Sequence, residues 1–224
     1  MGNNPSNDPL ASFALCNLLR LRKPDASEPV IAHCLLPIAP MTIDLALEAL
    51  NAGRVIGIPT DTVYGIGVDP MQEDALQRLY EIKGRPEEKP IPILAASLAD
   101  ARGFGMIDDA VGEYWPGPLT VVVRRMPATP RWIGDLARDT VAVRVPDHPV
   151  ALALLARSGP LAVTSANRSG EAAALDDVAA RAALGDGVAV YLEGRGGGGL
   201  ASTVVDLTGR QSIVLRPGPV AWGS

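Results

Sequence analysis

The sequence predicts an α/β domain in which a sheet is covered by helices. Three observations carry this. From Thr42 onward, segments with an apolar stripe at helical spacing alternate with short β-branched runs bounded by Pro and Gly. Residues suited to starting and stopping helices flank several of those segments. Hydrophobic residues make up 47% of the 224 positions and charged residues 20%, which is enough apolar material for one sizeable core. This pattern leaves strand order open, and it leaves open which neighbours run parallel, since some connections are too short for a crossover.

Residues 1–40 differ from the rest. They carry six prolines and several Asn and Ser, and they read as an N-terminal extension with one short helix at 12–22. The domain proper is expected at 41–224. Thr42 is placed to cap a helix that ends at Gly53, with Ile43, Ala46, Leu47 and Leu50 as its stripe. Residues 54–59 form a short buried strand. Asp69 and Pro70 supply an N-cap and a first helical residue for the next helix. That helix runs to Lys83 and stops at Gly84, a residue suited to the left-handed position past a helix end. Residues 91–95 read as a strand, and Ser97 with Asp100 as a capping box. Strands at 119–124 and 141–145 follow, then a helix at 148–157 and a strand at 161–164. Asp176 starts a helix that ends at Gly185. Strands at 188–192, 203–207 and 213–215 complete the chain. The glycine-rich patch at 194–199 is expected to be mobile.

Composition excludes several function classes. A net charge of -5 does not suit a protein that coats nucleic acid, which needs a basic surface. The cysteines Cys16 and Cys34 and the histidines His33 and His148 form no CxxC or HxxxH pairing, so neither a zinc site nor a disulfide framework is expected. A reducing cytoplasm is the default compartment. No apolar run approaches the roughly 20 residues that cross a bilayer, so no membrane partner is expected. Common nucleotide signatures fail too. Gly65-Ile66-Gly67 opens like a dinucleotide fingerprint, but Pro70 stands where the third Gly belongs. The glycine patch lacks the Gly-Lys-Ser/Thr of a P-loop, and no GxSxG nucleophile elbow occurs.

What remains is a set of cations and hydroxyls at predicted strand and helix ends. Lys83 and Arg85 lie two apart at a helix terminus, where they would complement the helix dipole. The following Pro86 turns the chain and holds both beside an edge. Arg144 and Arg216 each end a strand that reads as buried, and an arginine there needs an anionic partner. Four such cations suggest a site for a polyanion, with arginine forks suited to phosphate or carboxylate. Thr62, Thr140, Ser165, Asn167 and Ser202 add neutral donors and acceptors where α/β sheets usually bind ligands.

Several motifs extend this reading. Residues 59–67 (PTDTVYGIG) follow a strand. Lys83-Gly84-Arg85-Pro86 and Lys89-Pro90 come next, then Trp115-Pro116-Gly117-Pro118-Leu119-Thr120 and residues 141–146 (VAVRVP). Ser165-Ala166-Asn167-Arg168-Ser169-Gly170, Ser202-Thr203-Val204-Val205-Asp206 and Leu215-Arg216-Pro217-Gly218 close the series. In number, order and spacing they resemble the YrdC/Sua5 family of threonylcarbamoyl-AMP synthases, over about residues 42–220. The resemblance implies an open, twisted, mixed sheet flanked by helices, with a concave cationic cavity. It implies a nucleotidyltransferase that forms L-threonylcarbamoyladenylate and pyrophosphate from L-threonine, bicarbonate and ATP, for the t6A modification of tRNA.

The family's residue roles carry over as follows. Lys83 and Arg85 form its KxR motif and, with Ser165 and Asn167 of the SxN motif, are the implied catalytic set. Thr62, Arg144, Val163 and Ser202 would bind L-threonine. Arg85, Lys89, Thr140, Ser165 and Arg216 would bind ATP. Mg²⁺ would come with the ATP, and no protein metal ligand is implied. Two positions depart from the family pattern: Ala201, just before Ser202, and Ala173, after the SxN motif. The C-terminal domain of the longer Sua5 type is not expected, so a downstream tRNA threonylcarbamoyl transferase complex would complete the modification, with tRNA met indirectly.

The alternative is a non-enzymatic RNA-binding module of the same fold. The acidic composition and the scarcity of aromatic residues argue against an extended stacking platform. A hydrogenase-maturation type of carbamoyl transferase contains a related domain, but it would need more length and more cysteines.

Overall fold

The computed structural model describes residues 38–86 and 88–223. The helix expected at 12–22, and most of the extension, lie outside the described residues. Among them, nine strands form one sheet in the order β7-β1-β2-β6-β3-β5-β4-β8-β9. The strands are β1 Ile56–Pro59, β2 Tyr64–Val68, β3 Ile93–Leu94, β4 Leu119–Arg124, β5 Thr140–Arg144, β6 Leu161–Ser165, β7 Val190–Tyr191, β8 Thr203–Asp206 and β9 Ile213–Arg216. The helices are α1 Ile38–Asn51, α2 Glu73–Lys83, α3 Leu98–Ala101, α4 Pro149–Ser158 and α5 Asp177–Leu184. The sheet is mixed: β1/β7, β3/β5 and β4/β8 run parallel, and the other neighbours run antiparallel. It does not close, because β7 and β9 are its edges.

Three expectations about elements are corrected. The first helix starts at Ile38, so Thr42 lies inside it rather than capping it. Pro40 is no obstacle, because a proline in the first turn removes an N–H that has no helical partner. The second helix starts at Glu73 rather than after Asp69. The Asp69 carboxylate instead accepts from the Met71 amide at 2.9 Å and from Gln72 Nε2 at 3.0 Å, closing a turn ahead of the helix. The segment read as a motif after the first strand contains a strand of its own, β2. Its glycines disguise it, yet they fit the sheet. A Cβ on Gly65 or Gly67 would come within 2.9 or 2.8 Å of Val163 on the neighbouring strand.

The stop signals hold. Gly84 takes φ +58 and its amide reaches back to the carbonyls of Tyr80 and Glu81. Ser97 accepts from the Asp100 amide, and Asp176 from the Ala179 amide.

The two sheet faces bury different things. Val121, Val123, Val141, Val143 and Val205 point into one hydrophobic cluster with Tyr64, Ile66 and the apolar face of α2. On the opposite face, Leu94, Leu161 and Val163 pack with Ile56 and Ile58 under α1 and α4. Residues paired in register share a face. Leu94 pairs with Arg144, Ala142 with Val122, and Thr120 with Val204. The helix-covered face therefore continues across β5, β4 and β8, where alternate residues are small or polar. That half forms the floor of a cavity.

Candidate active site

The cavity has a volume of about 380 Å³, within the range of small-molecule sites. Thr120 and Val122 of β4, Thr140, Ala142 and Arg144 of β5, and Val163 and Ser165 of β6 form its floor. Thr60, Thr62 and Val63, from the turn between β1 and β2, line one wall. Arg85, Pro90 and Pro92 line another, and Ser202, Leu215 and Arg216 a third.

Arg144 is only 5% exposed, and the fold holds each arm of its guanidinium. Nε donates to the Gly117 carbonyl at 3.0 Å, Nη1 to Thr62 Oγ1 at 3.0 Å, and Nη2 to Asp61 Oδ1 at 2.5 Å. Burial lowers its pKa, while the Asp61 carboxylate opposes that. Asp61 is the anionic partner that a buried arginine requires. The Trp-Pro-Gly-Pro motif contributes the Gly117 carbonyl.

Arg216 donates to the Ser202 carbonyl and to Ser202 Oγ, both at 3.0 Å. Ser202 Oγ also lies 2.8 Å from Thr120 Oγ1. β9 is an exposed edge strand, which corrects the expectation that Arg216 ends a buried one; β9 has a neighbour on one side only. Although the residue as a whole is exposed, desolvation of its guanidinium over the cavity lowers its pKa, and Arg144 and Arg85 lower it further. Arg85 is steered by two carbonyls, Lys89 O at 2.7 Å and Pro90 O at 3.2 Å. Neither Arg85 nor Arg216 belongs to an ion pair among the described residues. With Arg138, which also lines the cavity and pairs with Asp206, the site gathers four guanidiniums, of which Arg85 and Arg216 have no carboxylate partner among the described residues.

Lys83 stands elsewhere. It is 3% exposed and does not line the cavity. Its ammonium reaches Ser165 O at 2.6 Å, Asn167 O at 3.0 Å, Asn167 Oδ1 at 3.0 Å and Ser165 Oγ at 3.2 Å. Asn167 is itself buried, and its Nδ2 donates to the Arg168 and Glu171 carbonyls at 2.8 Å. Lys83 and Asn167 therefore form a tie behind the wall that orients Ser165. Burial, and then Arg85, bring the Lys83 pKa down to about 8.

Of the residues singled out from sequence, Thr62, Arg85, Thr140, Arg144, Val163, Ser165, Ser202 and Arg216 meet at the cavity, and Lys83, Asn167 and Lys89 do not line it. Lys89 is exposed and contributes its carbonyl to Arg85. Of the two departures, Ala201 lines the cavity and Ala173 does not. Sequence reasoning missed Thr120, Asp135 and Arg138 as wall residues. Thr120 was findable, as the alternate residue of β4 that shares a face with Val122. Arg138 reveals itself only in three dimensions, where it pairs with the buried Asp206 at 2.8 Å. The glycine patch, expected to be mobile, makes backbone hydrogen bonds: its amides donate to the carbonyls of Leu175, Thr60 and Thr62.

Comparison with known proteins bears on the family and the fold. Residues 48–218 match the Sua5/YciO/YrdC family profile, which is described as "Telomere recombination". A Mycobacterium tuberculosis protein provisionally named as a threonylcarbamoyl-AMP synthase is 44% identical, over 79% of this chain and 83% of its own length. The threonylcarbamoyl-AMP synthase of Vibrio cholerae is 42% identical, over 68% of this chain and 85% of its own. The crystal structure of Pyrococcus abyssi Sua5 complexed with L-threonine superposes with a TM-score of 0.74 at 35% identity, covering 79% of this chain and 54% of that one. On profile, relatives and fold, the chain belongs to the Sua5/YciO/YrdC family.

Proposed function

We propose that this chain is an L-threonylcarbamoyladenylate synthase. The observation that carries the reading is the convergence of Arg85, Arg144 and Arg216 on one cavity beside a wall of hydroxyls. Threonylcarbamoyl-AMP synthase relatives and the L-threonine complex of a homologue support it.

L-Threonine would lie against Thr62, Arg144, Val163 and Ser202, with its carboxylate on the Arg144 fork. ATP would lie across Arg85, Thr140, Ser165 and Arg216. The threonine nitrogen bonds to the carbon of bicarbonate-derived CO2 and releases a proton, which gives N-carboxy-threonine. A carboxylate oxygen of that carbamate then bonds to the α-phosphorus of ATP. The bond from that phosphorus to the bridging oxygen breaks, and pyrophosphate leaves with the electron pair. No protein nucleophile enters the balance. The protein orients the reactants and neutralises charge on the phosphoryl oxygens. Lys83 and Asn167 act one layer back, by fixing Ser165.

Among the polar wall residues, four arginines and seven hydroxyls outnumber one carboxylate, Asp135, a set that suits phosphate oxygens better than a metal ion. Mg²⁺ is accordingly assigned to the triphosphate of ATP, and no step is routed through a protein-held metal. A downstream tRNA threonylcarbamoyl transferase complex would consume the adenylate, with tRNA met indirectly, and the reading places the enzyme in the cytoplasm with its substrates. Among the described residues, no helix is long and apolar enough to cross a membrane.

The test is mass-spectrometric detection of threonylcarbamoyl-AMP in mixtures of protein, ATP, L-threonine and bicarbonate. Product is expected only when all three substrates are present. Salt-dependent tRNA binding with no such product would favour the RNA-binding alternative.

A further inference from the structure

The glycine-rich segment 194–199 lies along the turn that carries Thr60, Asp61 and Thr62. At its start it is tied to the beginning of α5. The Gly194 amide donates to Asp177 Oδ1 at 3.2 Å, and the Gly196 amide donates to the Leu175 carbonyl at 2.7 Å. Its far half is tied to the cavity wall. The Gly197 amide donates to the Thr60 carbonyl at 2.9 Å, and the Gly198 and Gly199 amides donate to the Thr62 carbonyl at 3.1 and 2.9 Å. The segment is a strap between a helix start and the residues that aim Arg144.

Two of its positions tolerate no side chain. A Cβ on Gly197 would stand 2.6 Å from the Asp61 carbonyl oxygen, 2.9 Å from its carbon and 3.1 Å from its Cα. A Cβ on Gly196 would stand 2.7 Å from Val63 C, 2.8 Å from Val63 Cα and 2.9 Å from Tyr64 N. All of these neighbours are backbone atoms, so the turn or the strap must move. Gly198 has nothing within 4 Å of its would-be Cβ, and its φ is not in the left-handed range. It is a control supplied by the same segment.

We infer that Gly196 and Gly197 are positioning residues for the amino-acid half of the site. Their close approach sets where Thr62 and Asp61 stand, and those two hold Nη1 and Nη2 of Arg144. The nucleotide half, built on Arg85, Thr140 and Arg216, receives none of the strap's backbone hydrogen bonds. The inference rests on the proposed function, because it takes Arg144 and Thr62 as the L-threonine contacts.

Steady-state kinetics on Gly197→Ala, Gly196→Ala and Gly198→Ala test it, with L-threonine binding by calorimetry and a thermal melt on each protein. Gly197→Ala and Gly196→Ala are expected to raise the KM for L-threonine about tenfold or more, with the KM for ATP within about twofold of wild type. Gly198→Ala should match wild type in all three readings. Equal rises in both KM values, or an unchanged threonine KM in folded Gly197→Ala, would overturn the inference. Gly196→Ala decides by the same split if Gly197→Ala does not fold. If neither folds, the strap is scaffold alone and the inference is overturned. Wild type that binds no L-threonine would overturn the functional reading, and this inference with it.

Discussion

Arg85→Ala removes a guanidinium that faces the cavity and is held by two loop carbonyls. The variant should keep a melting temperature close to wild type while kcat/KM for ATP falls about 100-fold or more, as read by a thermal melt beside steady-state kinetics. Lys83→Met should behave differently. It strips the donor from buried oxygens of Ser165 and Asn167, at a cost of about 1–3 kcal/mol for each acceptor left unpaired. A clear loss of stability together with a loss of rate is therefore expected. The lysine also gives pH signatures. Its pKa of about 8 lies below the ordinary lysine value of 10.5, so the unfolded chain keeps that proton to higher pH than the fold does. Through that window this group makes stability rise with pH, and the contribution is lost as pH falls through about 8. Activity should move the opposite way, falling above pH 8 as the tie to Ser165 and Asn167 loses its charge. Unfolding curves for wild type against Lys83→Met, and the pH–rate profile, check the two signs. The KxR pairing was legible in the sequence, but the split in role was not. Spacing shows that two cations are near each other. It does not show that the acceptors for one of them lie more than eighty residues away.

At the scale of elements, most strands and helix ends were legible because they follow local chemistry. Asp176 is an example: its carboxylate accepts from the Ala179 amide at 2.8 Å. Asp176→Ala should cost about 1 kcal/mol, a fall in melting temperature of about 2–4 °C for a chain of this size. A calorimetric melt reads it directly. Where local rules failed, a competing interaction prevailed. Asp69 closes a turn rather than starting α2, and β2 hides behind the glycines that let it lie against Val163. The glycine patch is the sharpest case. Its composition suggests freedom, yet at Gly196 and Gly197 it meets another backbone too closely for a side chain.

For the whole molecule, composition and periodicity reached as far as a helix-covered sheet and the cations of an anion site. The order of nine strands follows from which edges and faces find partners across the chain, and no local pattern records that. The molecule carries a net charge of -5 and still gathers four arginines at one cavity. Burial and local pairing, not net charge, set the character of the site. Incomplete covering of one face explains the placement, since the other face packs along β2, β4 and β5 against α2 and its cluster. α1 and α4 cover one half of a face, and the remaining half, with small and polar residues on β4, β5 and β8, is left for ligands.

The most direct measurement is pyrophosphate release from ATP, with L-threonine and bicarbonate each omitted in turn. The account predicts release only when both are present, and its loss in Arg85→Ala. Release that proceeds equally well without either co-substrate would contradict it.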